Sequence, residues 1–125
     1  MKYFSVEDID LIHLQIIDAS GGAHGIRDVG RLESAVASQT QVVFGTELYP
    51  RVYDKAAALM KGIIADHPFV DGNKRTGIMH AIIFLERNGI ETQISDLSLE
   101  DFAVEVTVKH HDIATIAVWL ERHCK

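Results

Sequence analysis

The stretch Ile78–Leu85 is apolar nearly all round, inside a helix predicted over Lys74–Asn88 and stopped by Gly89. A helix with one apolar stripe needs one neighbour, but a helix apolar on every side has to be enclosed by several. This segment is therefore expected to be the central buried helix, and the rest of the chain has to supply its covering. Helical patterns on both sides can do so. From Pro50 to Asp66, Val52, Ala56, Leu59, Met60 and Ile63 recur at helical spacing. Ser5 with Asp8 reads as an N-cap for a helix whose face is Ile9, Ile12, Ile16 and Ala19, ended by Gly21-Gly22. Asp28 or the residues after it start a short helix through Arg31–Ala35. Ser98 with Asp101 is expected to cap a helix carrying Phe102 and Val106, and Asp112 a last one carrying Ile113, Ile116, Ala117 and Leu120. One segment breaks the pattern. Val42-Val43-Phe44, closed by Gly45, favours β structure and predicts a short extended loop or hairpin near residues 41–45. The expected fold is all-α, a compact bundle of about six helices with one short extended flap, in a single domain spanning residues 1–125.

Composition narrows the function classes. Twelve Lys and Arg against eighteen Asp and Glu give a net charge of −6, the reverse of the usual nucleic-acid binder, so no direct nucleic-acid partner is expected. No uninterrupted apolar run is longer than Ala81–Leu85, far short of the ~20 residues that span a bilayer. Glu7, Asp8 and Asp10 follow Lys2 where a signal peptide would be apolar, and a cytoplasmic location is expected. The single Cys124 has no internal partner and is expected to be inert.

The polar segment His67–Thr76 lies between the two most apolar helices. Gly72 permits a tight turn and close approach of a ligand to the backbone. Asn73, Lys74, Arg75 and Thr76 fall in the first turn of the following helix, where N–H groups are free and the helix dipole favours anions. Two cations at that end are unfavourable unless an anion balances them, so Lys74 and Arg75 suggest a phosphate site. Asp71 would repel a phosphate directly but suits Mg²⁺ bridging phosphate oxygens. His67 is the nearby group able to take a proton near neutral pH. Pro68 and Phe69 are read as anchors that fix the loop on the core. An ordinary polar connection with a surface Lys-Arg pair is the alternative, and these residues by themselves do not select a reaction.

The run His-Pro-Phe-Val-Asp-Gly-Asn-Lys-Arg-Thr at 67–76 resembles the signature loop of the Fic/Doc superfamily, in particular its death-on-curing (Doc) toxin branch. Gly25-Ile26-Arg27-Asp28, Leu32-Glu33-Ser34-Ala35, Glu47-Leu48-Tyr49-Pro50 and Lys55-Ala56-Ala57-Ala58-Leu59 resemble that branch in the same order, so the likeness covers about Gly22 to Leu85. It implies a nucleotide-dependent transferase modifying a protein hydroxyl, with ATP or another nucleoside triphosphate and Mg²⁺ as cofactors. His67 would be the catalytic base and Asp71 the Mg²⁺ ligand. Gly72, Asn73, Lys74 and Arg75 would form the nucleotide phosphate site, and Phe69 the buried anchor of the loop. Val42, Val43 and Phe44 sit where the family's flap aligns a target peptide in extended form; an apolar loop packed on the core is the other reading of those three residues.

Two departures bear on the reaction. AMP-transferring members of the superfamily have Gly after the Asn and a second Arg three residues beyond the first, whereas here those positions are Lys74 and Ile78. The Doc branch shares this pattern and is associated with an inverted nucleotide that delivers its γ-phosphate. Phosphotransfer is therefore expected over AMP transfer, with a threonine of elongation factor Tu as the implied target and translation arrest as the outcome. Gly72 is a lesser departure, since the branch's phage toxin has Ala there. No Ser/Thr-x-x-x-Glu-Gly/Asn inhibitory motif is present, so a separate Phd-like antitoxin is the implied partner. Two rivals stand against this. A metal-dependent phosphohydrolase is suggested by His111-Asp112, but no Asp follows as a further ligand. A catalytically inactive interaction domain is opposed by the intact set His67, Asp71, Asn73, Lys74 and Arg75. His80 is expected to be a core histidine, and His13, His24 and His123 surface residues.

Overall fold

The helices start where a polar side chain or a turn frees the chain, and the third and fifth of them end where the backbone turns left-handed at His67 and His110. The computed structural model describes residues 1–124 and contains six helices and one two-stranded hairpin. Helix α1 (Val6–Ser20) is opened by a capping box in which Ser5 and Asp8 exchange backbone-to-side-chain hydrogen bonds, and closed by Gly21. Helix α2 (Val29–Ser38) starts at Asp28, whose carboxylate accepts from the Arg31 N–H. Helices α3 (Val52–Asp66) and α4 (Asn73–Arg87) follow, then α5 (Asp96–Lys109) and α6 (Ile113–His123), the last capped by Asp112.

Three expectations need correction. Helix α5 starts three residues earlier than Ser98 suggests. Ser95 is its N-cap, and the Ser98 N–H is the donor to the Ser95 hydroxyl. The two serines stand in similar local sequence and both offer a hydroxyl, and Ser95 is the one that caps. On α1 the buried stripe is Ile9, Ile12, His13 and Ile17, while Ile16 is half-buried and Ala19 exposed. The stripe therefore drifts around the helix from the face assigned by periodicity. Finally, α4 is buried as expected but is not the sole centre. Helix α3 packs against α2, α4, α5 and α6, whereas α4 packs against α1, α3 and α5. The two inner helices approach tightly at Gly77, where a Cβ would lie 2.7 Å from Ile64 Cγ1 and 3.2 Å from the Met60 carbonyl. Gly77 thus sets how near the ends of α3 and α4 that bracket the His67–Gly72 loop can come.

Strands β1 (Val42–Val43) and β2 (Thr46–Glu47) pair antiparallel, Val42 opposite Glu47 and Val43 opposite Thr46. Phe44 and Gly45 between them have φ of 50° and 77°, the pair of positive angles that a tight hairpin turn matched to strand twist requires. The hairpin is tied down through Glu47. Its carboxylate accepts from the almost fully buried Lys55 Nζ at 2.8 Å, and the same ammonium donates to the Gln39 carbonyl. Among the described residues no helix is long and apolar enough to cross a membrane.

Candidate active site

Helix α3 ends because His67 adopts a left-handed backbone, φ 49° and ψ 59°, and its N–H returns to the Ile63 carbonyl at 3.3 Å. Pro68 cannot extend the helix and turns the chain inward. Phe69 is then fully buried and stacks on the His13 ring, with centroids 3.8 Å apart and planes 6° from parallel. The Asn73 side chain closes the loop from the other end. Its amide donates to the Phe69 carbonyl and accepts from the Phe69 N–H, both at 3.0 Å. Gly72 precedes α4 with φ 74°, and a Cβ there would stand 2.8 Å from Ile17 Cδ1. The loop is thus held at its base by Phe69 and Asn73, with its polar residues turned outward.

His67, Val70, Asp71, Gly72, Asn73, Lys74 and Arg75 line one open cleft of about 360 Å³. The first helical bond of α4 runs from the Thr76 N–H to the Gly72 carbonyl at 2.9 Å. The N–H groups of Asn73, Lys74 and Arg75 therefore have no helical acceptor and face the cleft at the positive end of the dipole. Lys74 is exposed beside them. Arg75 is half-buried and oriented by the loop after α1, its Nη1 donating to Ser20 Oγ at 2.5 Å and to the Gly21 carbonyl at 3.0 Å. Asp71 Oδ2 accepts from the Ala23 N–H at 3.1 Å, and Oδ1 from the Gly72 N–H at 2.8 Å. These two N–H groups, Ala23 first, hold the Asp71 carboxyl below the usual carboxylate range, with a smaller contribution from Arg75. A fixed, ionised carboxylate and two cations thus share one cleft with a histidine, an arrangement able to take a polyanion together with a hard cation.

If a Mg²⁺ ion is bound in this cleft, Asp71 is the residue that would hold it. Among the described residues no group of three or more His, Cys, Asp or Glu side chains could hold a metal. A single outward carboxylate is the donor set of a Mg²⁺ that keeps its waters and takes its other ligands from phosphate oxygens.

All the loop residues singled out from sequence are brought together, with one refinement. The Asn73 amide is engaged with Phe69, so what this residue offers an anion is its backbone N–H. The flap residues do not pack on the core: Val42 and Val43 are exposed and Phe44 stands entirely in solvent. Arg75 also lines a second cavity of about 380 Å³ between α1, α4 and α5, walled by Ile16, Ile78, Met79 and Leu99 with Asp96 and Glu100 at its edge.

Two residues behind the loop carry no assigned role in the sequence reading. His13, expected at the surface, is fully buried, and its Nε2–H donates to the Asp71 carbonyl at 2.8 Å. Its position four residues from both Ile9 and Ile17 placed it on the buried stripe, and that signal was available. Arg27 donates through Nε to the His67 carbonyl at 2.6 Å and through Nη2 to the Asp66 carbonyl at 2.7 Å. Its own segment pairs with the loop, since the Val70 N–H donates to the Gly25 carbonyl and the Arg27 and Asp28 N–H groups donate to the Pro68 carbonyl. His80 is a core residue as expected, its Nδ1–H donating to the Thr76 carbonyl at 2.6 Å. His24 and His123 are exposed. His111 binds Glu105 at 2.9 Å, and Asp112 is the α6 cap. Burial pushes the half-buried Cys124 thiol up, away from the reactive thiolate.

Residues 3–85 match the sequence model of the Fic/DOC family, reaching further toward the N-terminus than the motifs that carry the resemblance. A protein of Mycolicibacterium smegmatis named Toxin Doc is 41% identical over 105 residues, which are 82% of this chain and 80% of that protein. A protein of Escherichia phage P1 named Protein kinase doc is 30% identical over 122 residues, 98% of this chain and 95% of its own length.

Proposed function

The chain belongs to the Fic/DOC family, on its death-on-curing side, and from that premise we propose that it is a Doc-type toxin that transfers the γ-phosphate of ATP to a Ser or Thr hydroxyl of a protein. The observation that carries the reading is the cleft at the start of α4. There the free N–H groups of Asn73–Arg75, the Lys74 and Arg75 cations, the ionised Asp71 and the His67 side chain face one volume. His67 removes the proton from the target hydroxyl, whose oxygen attacks the γ-phosphorus. The bond from that phosphorus to the β–γ bridging oxygen breaks, and ADP leaves with the electron pair. Lys74, Arg75 and the helix N–H groups offset the charge gathering on the phosphoryl oxygens. Mg²⁺ held by Asp71 would neutralise further phosphate charge.

Ile78 favours phosphate over AMP as the group transferred. It lines the cavity beside Arg75, whose wall at this position is apolar where a second arginine would have made it cationic. Such a wall suits the nucleoside end of the nucleotide, leaving the terminal phosphate for the cleft at Asn73–Arg75. The exposed hairpin offers unpaired strand edges to an extended target segment. One relative is named a toxin and the other a protein kinase, which supports a toxin–antitoxin setting with a separate antitoxin as partner and elongation factor Tu as the target to test first.

The test is a labelling reaction with purified elongation factor Tu and with cell extract, run with ATP labelled at the γ- or the α-phosphate and with His67→Ala as control. Transfer from the γ position only, lost in the variant, is the expected result. Transfer from the α position would make the protein an AMP transferase and remove the argument from Ile78. Transfer from neither, with target and extract both present, would overturn ATP as the donor and leave another nucleotide or an inactive interaction domain.

A further inference from the structure

Three consecutive carbonyl groups, those of Asp66, His67 and Pro68, all accept hydrogen bonds from one residue, Arg27. Nη2 takes the first at 2.7 Å, Nε the second at 2.6 Å and the backbone N–H the third at 2.7 Å. The first two carbonyls belong to the peptide planes on either side of the His67 Cα. Fixing both planes fixes φ and ψ of that residue, and with them the direction of its Cα–Cβ bond. This control is needed because His67 is, among the described residues, one of three non-glycine residues in the left-handed region, a conformation that costs a residue with a Cβ about 1–2 kcal/mol. Left to itself, the loop would relax toward a cheaper backbone and swing the imidazole away from the cleft.

We propose that Arg27 is a positioning residue for His67, its guanidinium fork locking the two peptide planes that aim the imidazole into the phosphate cleft. Arginine is the side chain suited to this. Its planar fork presents two donors at fixed spacing, which a lysine ammonium cannot reproduce. The last carbonyls of a helix also lack partners of their own and sit at its negative end, so a cation there is doubly favoured. The segment 25–28 keeps its place without the guanidinium, because the Pro68 and Gly25 carbonyls are bonded by backbone N–H groups. The anion site is made separately, by α4 and by Ser20 and Gly21 against Arg75. Removing the Arg27 side chain should therefore disturb the aim of His67 and leave the phosphate site whole.

This role rests on the function proposed above, and two measurements on the full chain keep the two apart. The first compares wild type, Arg27→Lys and Arg27→Met in phosphate transfer and in equilibrium binding of Mg-ATP. The expected pattern is a loss of kcat of roughly 10- to 100-fold in Arg27→Met, with nucleotide affinity and KM for ATP unchanged and only part of the rate recovered by Arg27→Lys. The second needs no activity: imidazole NMR spectra of the free proteins. The His67 ring should give one set of signals in the wild type and shifted or multiple sets in Arg27→Met, while the buried His80 ring keeps its own. An unchanged kcat, or unchanged His67 signals, overturns the proposal. So does a loss of rate matched by an equal loss of ATP affinity and by displaced His80 signals, which would make Arg27 a residue of general stability. If the wild type transfers nothing, the reaction assigned above fails, and the His67 spectra still decide whether Arg27 sets that side chain.

Discussion

Asn73 stands at the first position of α4, yet its side chain serves the loop behind it. The amide returns to the N–H and carbonyl of Phe69, a residue with no exposed surface. Asn73→Ala leaves both of those buried backbone groups without partners, and each such orphan costs about 1–3 kcal/mol. Asn73→Ala is therefore expected to lose about 3 kcal/mol of folding stability and, through the released loop, most nucleotide binding. Asn73→Asp keeps an acceptor for the Phe69 N–H but puts a negative charge at the phosphate site. It should lose less stability and as much nucleotide affinity. Denaturant unfolding beside nucleotide titration reads both, and an Ala variant as stable as the wild type would show that the amide ring holds nothing. The loop was legible in sequence because its chemistry is contiguous, His67 to Arg75. Its supports were not, because His13 and Arg27 reach it from 58 and 40 residues away, and short-range patterns carry no record of such contacts.

The hairpin is the element whose sequence and placement are hardest to explain by folding alone. Val42, Val43 and Phe44 spend apolar surface on solvent, while Glu47 on the second strand is anchored through the buried Lys55 ammonium. A rigid base with an apolar, uncovered tip is what a docking strand requires. Phe44→Ala should leave folding stability within about 0.5 kcal/mol of wild type, since a fully exposed ring contributes little. Mg-ATP affinity should also hold, while KM for the protein target rises roughly tenfold, as for loss of an aromatic interface anchor. Equal KM values for the two proteins would take the hairpin out of target binding. At this scale the existence of each element was legible, since caps such as Ser5, Asp28 and Asp112 and stops such as Gly21 act through neighbours in sequence. The start of α5 was not, because Ser95 and Ser98 both offer a hydroxyl and only the path of the chain from α4 selects between them. The partition of the core between α3 and α4 was equally hidden, since periodicity records which face is apolar and not how many neighbours cover it.

For the molecule as a whole, the coupling of acidity to stability runs through His80. The ring lies in the centre of the bundle, its edge toward Phe4 with centroids 5.5 Å apart, and its Nδ1–H is given to the Thr76 carbonyl. The other nitrogen, Nε2, is buried and makes no well-formed hydrogen bond. Protonation would place a charge in that buried position, and burial accordingly pushes the pKa down from 6.5 to about 4, against smaller upward effects of the Thr76 and Ile9 backbone. Between those two values the unfolded chain binds a proton at this site and the folded chain does not. Unfolding therefore takes up a proton, and stability rises with pH across the window and is lost as pH falls from 6.5 toward 4. A shift of this size corresponds to about 3 kcal/mol, a large part of the stability of a domain of this length. Below the window the carboxyls of Asp8, Asp28, Asp112 and Glu105, all held below their ordinary range by hydrogen bonds, continue the loss as they protonate. Those groups are common to any variant, so the histidine is isolated by difference. His80→Gln removes the titration but keeps a polar side chain of similar reach. Its stability deficit at pH 7.5 should shrink by about 3 kcal/mol at pH 4, and the two proteins should converge or cross. Urea unfolding at closely spaced pH values measures this directly, and parallel curves for wild type and variant from pH 7.5 to 4 would place the acid sensitivity elsewhere in the fold.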